Sequence, residues 1–233
     1  MPAAKPATAV AVSANITVQA AGERSWVSRG AHKLIGALDT FGIDATDRRC
    51  LDAGASTGGF TEVLLDRGAR EVVAVDVGYG QLAWSLRSDD RVIVIERTNV
   101  RELTASAIDG PVDLVVADLS FISLSTVLPA LTACASPDAD IVPMVKPQFE
   151  VGKDRVGTGG VVTDPQLRAE SVLAVAARAA GLGWQTVGAT ASPLPGPSGN
   201  VEYFLWLRAN TDAALRGVDL EQTVQRAVTE GPQ

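Results

Sequence analysis

The sequence predicts an α/β domain built on a mostly parallel sheet, with an antiparallel hairpin at one edge. Three observations carry that expectation. Short apolar runs at 72–75, 91–95, 112–117 and 140–145 alternate with stretches whose apolar positions recur at helical spacing, the pattern of repeated strand–helix–strand units. A glycine-rich turn, Asp-Ala-Gly-Ala-Ser-Thr-Gly-Gly-Phe at 52–60, joins a short apolar run ending at Leu51 to a helix-like stretch carrying Phe60, Val63 and Leu64. The apolar runs at 184–190 and 201–207 are separated only by Ser-Pro-Leu-Pro-Gly-Pro-Ser-Gly at 192–199, which leaves no room for a crossover helix, so these two strands must lie antiparallel.

The elements follow in order. Residues 1–22 are rich in Ala, Val and Pro, with one strand-like run at Ile16-Thr17-Val18, and read as a linker or the remnant of a preceding domain. Ser28 is a candidate N-cap for an amphipathic helix that buries Ala31, Leu34, Ala37, Leu38 and Phe41 and stops near Gly42; Lys33 lies off that stripe and is expected to face outward. Helices are expected at 59–67, 80–87, 104–108 and 124–134, and a strand-ending loop at 146–163 is long and glycine-bearing, as functional loops often are. Asp164-Pro165 supplies an N-cap and first residue for a helix running to Gly181, and residues 211–230 form a closing helix.

Composition narrows the classes. A hydrophobic content of 46% over 233 residues supports one substantial core, so residues 23–233 are expected to form one domain. Two cysteines, Cys50 and Cys134, and a single histidine, His32, offer neither a disulfide framework nor metal-ligand spacing. No apolar run approaches the ~20 residues of a membrane span and no secretion signal opens the chain, so a soluble cytoplasmic protein is expected. The net charge of −7 gives no global attraction for nucleic acid; RNA would have to be held locally, near Arg24, Arg29 and Lys33 or near Lys146, Lys153 and Arg155.

In a parallel sheet the strand C-termini share one edge, where ligands bind, and that edge should collect Asp52, Asp76, Asp118 and Lys146. Gly54, Gly58 and Gly59 have no Cβ and allow close approach of the backbone to a ligand. Asp76 ends the next strand about twenty residues on, where a ribose-binding acid sits in nucleotide-binding units, which points to an adenosine-containing ligand. Ala55 and Ser56 break the dinucleotide fingerprint, and Asp52 would repel a pyrophosphate. Carboxylates at Asp52, Asp76 and Asp118 suit the ammonium and sulfonium of S-adenosylmethionine better. The expected cofactor set is Asp52, Gly54, Ala55, Ser56, Gly58 and Gly59, with Phe60, Asp76, Asn99 and Asp118. On spacing alone, Lys146 is either a proton acceptor, provided burial leaves part of it as neutral amine, or half of an ion pair tying two strands together.

Five motifs then carry a resemblance: Ser-Arg-Gly-Ala-His-Lys-Leu at 28–34, Leu-Asp-Ala-Gly-Ala-Ser-Thr-Gly-Gly-Phe at 51–60, Ala-Asp-Leu-Ser-Phe at 117–121, Val-Lys-Pro-Gln-Phe-Glu at 145–150 and Gly-Asn-Val-Glu-Tyr-Phe at 199–204. Together they resemble the TlyA family of ribosomal-RNA cytidine 2′-O-methyltransferases, also labelled hemolysins. The resemblance implies a Rossmann-like class I S-adenosylmethionine-dependent methyltransferase with an FtsJ-like catalytic domain, acting on 16S or 23S RNA within ribosomal subunits. It implies a catalytic tetrad of Lys33, Asp118, Lys146 and Glu202, with Lys146 as base or alkoxide stabiliser. It also implies an S4-like RNA-binding domain before the catalytic one; residues 1–22 resemble only its end and linker, so most of that domain is expected to be missing. Trp26, in the connector-like segment 23–29, is expected to pack in the core or contact RNA. Other expectations to be weighed are a methyltransferase acting on protein or small molecules, a membrane-lytic protein, and an idle cofactor-binding module.

Overall fold

The structure, a computed structural model, describes residues 25–232, so the run at 16–18 and Arg24 lie outside the described residues. Seven strands form one sheet: β1 (Arg49–Ala53), β2 (Glu71–Val75), β3 (Val92–Ile95), β4 (Val112–Ala117), β5 (Ala135–Val145), β6 (Gln185–Ala191) and β7 (Tyr203–Arg208). Their spatial order is β3-β2-β1-β4-β5-β7-β6. β1 to β5 pair in parallel, whereas β7 is antiparallel to both β5 and β6. The hairpin therefore inserts its second strand inward, leaving β6 at the edge.

Successive strand residues serve opposite faces, and each face has its own core. Leu51, Ala53, Val73 and Val75 join Leu128, Val172 and Val224 on one side, while Cys50, Val72 and Ala74 join Leu34, Leu64 and Phe204 on the other. The first side is covered by α4 (Leu124–Cys134), α6 (Pro165–Ala180) and α7 (Gly217–Glu230), the second by α1 (Gly30–Phe41) and α2 (Gly59–Asp66). Fully burying each such leucine or valine contributes roughly 1.5–3 kcal/mol, and these two layers fix the sheet's long axis. Trp26 is half-buried and packs against the second core.

Several boundaries differ from the sequence expectation. The helix expected at 80–87 shrinks to α3 (Trp84–Arg87), because Gly78 donates to the Asp76 carboxylate and Gly80 to Glu96, which hold the preceding residues in a turn. The stretch at 104–108 is a 3₁₀ turn over Ala105–Ile108, and the last helix starts only at Gly217. Ser28 does not cap α1 as expected: its Oγ accepts from the Gly30 N–H at 3.2 Å, and Arg29 occupies the N-cap position. The 146–163 loop contains one helical turn, α5 (Pro147–Glu150), and two 3₁₀ turns.

Candidate active site

The glycine turn after β1 takes its shape mainly from the protein itself. Gly54 has φ 88°, and a Cβ there would come within 2.5 Å of the Asp118 carbonyl oxygen, so glycine is what lets β1 and β4 end side by side. The Gly54 and Ala55 N–H groups both donate to the Val75 carbonyl, at 2.8 and 3.1 Å. Ser56 N–H donates to Asp76 Oδ2 at 2.8 Å, which shapes the turn around that carboxylate. These three amides are therefore committed to the fold rather than offered to a ligand.

Two cavities meet at this turn. The first, of about 410 Å³, is lined by Lys33, Asp118, Lys146 and Glu202 together with Arg29, Thr57, Phe60 and Ser120. The second, of about 480 Å³, is lined by Asp76, Gln81, Thr98, Asn99, Phe121 and Ile122. Gly54, Ser56, Asp118 and Ser120 border both, which makes them the junction of one continuous cleft along the strand ends.

Each strand end delivers one polar side chain. Asp118 extends the β4 ladder, its N–H donating to Ala53 O at 3.0 Å. Pro147 restricts the residue before it to extended backbone and starts α5, which leaves Lys146 at φ −114°, ψ 101° between strand and helix. Lys146 Nζ lies 2.6 Å from Asp118 Oδ1 and donates to Ser120 Oγ at 2.9 Å. Glu202 precedes β7, and because that strand runs antiparallel its beginning lies at the edge where the others end. The Lys33 amine donates to Glu202 Oε2 at 2.5 Å, with the two residues 7% and 2% exposed. Lys33 thus faces inward, contrary to expectation. The loop before β7 covers it, with Pro193 packed so closely on Gly36 that a Cβ there would lie 2.9 Å from the ring. Asn200 clasps that loop to the one after α5, accepting from Val162 N–H and donating to Gly160 O, both at 2.9 Å.

Two residues of the expected cofactor set sit elsewhere. Asp52 is completely buried beneath the start of α2, accepts from the Thr61 hydroxyl at 2.7 Å, and borders neither cavity. Burial pushes its carboxyl up to about 7, Thr61 pulls it back down, and the Asp118 and Asp76 charges raise it further. Its second oxygen, Oδ1, has no hydrogen-bond partner. Gly58, at φ 99°, also borders neither cavity; a Cβ there would collide with the Leu86 and Leu82 side chains. Gly59 borders the first cavity but is required by packing too, since a Cβ would meet Ser28 Oγ. Phe60 is nearly buried, stacked at 6.2 Å on Phe204, and shows only an edge to the cleft.

Sequence reasoning passed over Ser120, Thr57, Gln81 and Thr98. Single polar residues two to five positions beyond a strand-end acid carry no pattern of their own. Among the described residues no group of three His, Cys, Asp or Glu side chains could hold a metal ion, and no helix is long and apolar enough to cross a membrane.

A seven-stranded sheet with one inserted antiparallel strand and a cleft across its strand ends defines the class I methyltransferase architecture. The sequence profile of the FtsJ-like methyltransferases matches residues 26–209. The chain is 73% identical over 232 residues to the 16S/23S rRNA (cytidine-2′-O)-methyltransferase TlyA of Mycobacterium tuberculosis, covering 100% of this chain and 87% of that protein. It is 38% identical over 179 residues to Hemolysin A of Brachyspira hyodysenteriae, covering 76% and 75%. A solved structure from Lactococcus lactis superimposes with a TM-score of 0.81 at 39% identity, over 86% of this chain and 97% of that one. The chain belongs to the FtsJ-like methyltransferases and, within them, to the TlyA family.

Proposed function

We propose that this chain transfers a methyl group from S-adenosylmethionine to the 2′-hydroxyl of a cytidine in ribosomal RNA. The observation that carries the reading is the meeting of two lysine–carboxylate pairs in one cavity, joined at Gly54, Ser56, Asp118 and Ser120 to a second cavity suited to an adenosine.

The second cavity fits the cofactor. Each Asp76 oxygen accepts one backbone N–H, from Ser56 and Gly78, and a carboxylate oxygen can accept further, so ribose hydroxyls can be bound without breaking the turn. Asn99 borders the same space with its amide nitrogen, its oxygen being engaged by the Arg101 N–H. Gly54, Ala55 and Ser56 line the junction toward the methionyl end, beside the Asp118 carboxylate. Asp52, enclosed below, borders neither cavity and touches no ligand there. When bound there, S-adenosylmethionine supplies the activated methyl group.

The residues of the first cavity handle the substrate. A ribose hydroxyl is a weak nucleophile at neutral pH, so its proton must leave as its oxygen bonds to the methyl carbon. Lys146 takes that proton or stabilises the oxygen that loses it, and Asp118 holds the amine in place. The Lys33–Glu202 pair forms the opposite wall and adds no net charge of its own. Arg29, exposed on the rim, is placed for a phosphate of the RNA backbone.

The test is incubation with purified ribosomal subunits and radiolabelled S-adenosylmethionine, followed by nucleoside analysis. The expected product is 2′-O-methylcytidine, absent with Lys146→Ala. Label on a base, on protein, or nowhere would overturn the assignment. A lytic function has the names of several similar proteins in its favour but gives the paired lysines nothing to do.

A further inference from the structure

We infer that Ser120 is a positioning residue for methyl transfer, setting the direction in which the Lys146 amine faces the target hydroxyl. The inference rests on the function proposed above. A lysine reaches a site on a flexible four-carbon stem, and one ion pair fixes the distance of its amine but not its orientation. Here the amine has two acceptors: Asp118 Oδ1 at 2.6 Å and Ser120 Oγ at 2.9 Å. Nitrogen in an amine is tetrahedral. With the stem at one vertex and the two acceptors at two more, a single vertex is left, and Lys146 borders the first cavity. In the neutral amine both N–H bonds go to the acceptors, and the lone pair occupies the vertex turned to the substrate. The proton then moves from the 2′-oxygen to that lone pair, an electron pair of that oxygen forms the new bond to the methyl carbon, and the carbon–sulfur bond breaks with its electrons returning to sulfur.

Ser120 is itself held in place. The segment after β4 is fastened to the segment after β5 along its length: Phe121 stacks on Phe149 at 5.3 Å, and Glu150 accepts from the Ser123 hydroxyl at 2.6 Å and the Leu124 N–H at 2.8 Å. Phe121 has φ 63° and is 91% exposed, so the Glu150 hydrogen bonds, more than packing of that ring, hold the segment. The exposed serine hydroxyl borders both cavities, and its own hydrogen, not used in accepting from Lys146, can go to an oxygen of the bound nucleotide.

The experiment measures steady-state methylation of ribosomal subunits by the wild-type chain, Ser120→Ala and Ser120→Thr. A misdirected proton acceptor should lower kcat about ten- to a hundredfold in Ser120→Ala, with KM for subunits and calorimetric affinity for S-adenosylmethionine little changed. Ser120→Thr, which keeps the hydroxyl, should recover most of the rate. A serine that merely held the fold would instead lower Tm and disturb KM and cofactor affinity along with kcat. A readout independent of turnover is available because the chain has only four lysines, Lys5, Lys33, Lys146 and Lys153. In a lysine-¹⁵N-labelled sample, the Lys146 side-chain signal should lose its protection from solvent exchange in Ser120→Ala while that of Lys33 persists. Full kcat in Ser120→Ala, or a loss that Ser120→Thr does not recover, would overturn the role of Ser120 and leave the function standing. A wild-type chain that methylates no ribosomal RNA would overturn both.

Discussion

Lys146 is where the chemistry is most exposed to test. Lys146→Ala should abolish methyl transfer while S-adenosylmethionine still binds, since the amine touches Asp118 and Ser120 rather than the Asp76 end of the cleft. Lys146→Arg should not rescue it, because a guanidinium keeps its proton at working pH; substantial activity in that variant would reduce the lysine to an electrostatic support. Asp52 gives a second test, on stability. Its carboxyl ionises at about 7 in the fold against 3.8 ordinarily, so between those values the native state holds a proton that the unfolded chain has released. Stability should therefore fall as pH rises through that window and then level off, by on the order of a few kcal/mol in all. Thermal melts of Asp52→Asn should lack this slope, and an unchanged slope would place the charge cost elsewhere. The acids at strand ends were legible in the sequence because strand ends are. The burial of Asp52 and Lys33 was not, since it depends on which distant segment lies over each of them.

At the scale of elements, the glycine turn is the clearest case of a correct position with a different cause. The sequence marks Gly54, Gly58 and Gly59 as places where a side chain is not tolerated, but the neighbours that exclude it are the Asp118 carbonyl, Leu86 and Ser28. Gly58→Ala should accordingly destabilise the fold even without ligand, through the strain of a side chain at φ 99° and the collision with Leu86. A loss of about 1–3 kcal/mol is expected, read as a fall in Tm of several degrees. An unchanged Tm with weakened cofactor binding would return the residue to the ligand's account. The strand–helix alternation was readable from periodicity, and the antiparallel pair from its short connection. The shrinkage of α3 was hidden because it depends on Asp76 and Glu96 carboxylates accepting from Gly78 and Gly80.

For the whole molecule, charge is the deciding quantity. A body at −7 must hold RNA through a few local cations, and Arg29 stands on the rim of the reacting cavity. Arg29→Ala should raise KM for ribosomal subunits, leave kcat nearly unchanged, and flatten the dependence of log affinity on log salt by about one unit, as expected for one lost phosphate contact. An unaltered salt slope would remove Arg29 from the RNA path. Neither the net charge nor the fold decides where RNA lies; only the convergence of Arg29 with the paired lysines does, and that convergence is a property of folding rather than of spacing.

The inserted strand β7 also bears on timing. Lys33 and Glu202 are 169 positions apart, and their pair closes only when β7 takes its place beside β5. β6 precedes β7 in the chain yet pairs only with β7, so it joins the sheet through that strand. Non-local pairing of this kind comes late. A chain still emerging during synthesis, with everything through α6 already folded, would possess its cofactor cleft but lack one wall of the reacting cavity. A chain ending at α6 is therefore expected to bind the cofactor and transfer nothing, the last strand of the sheet being what completes it.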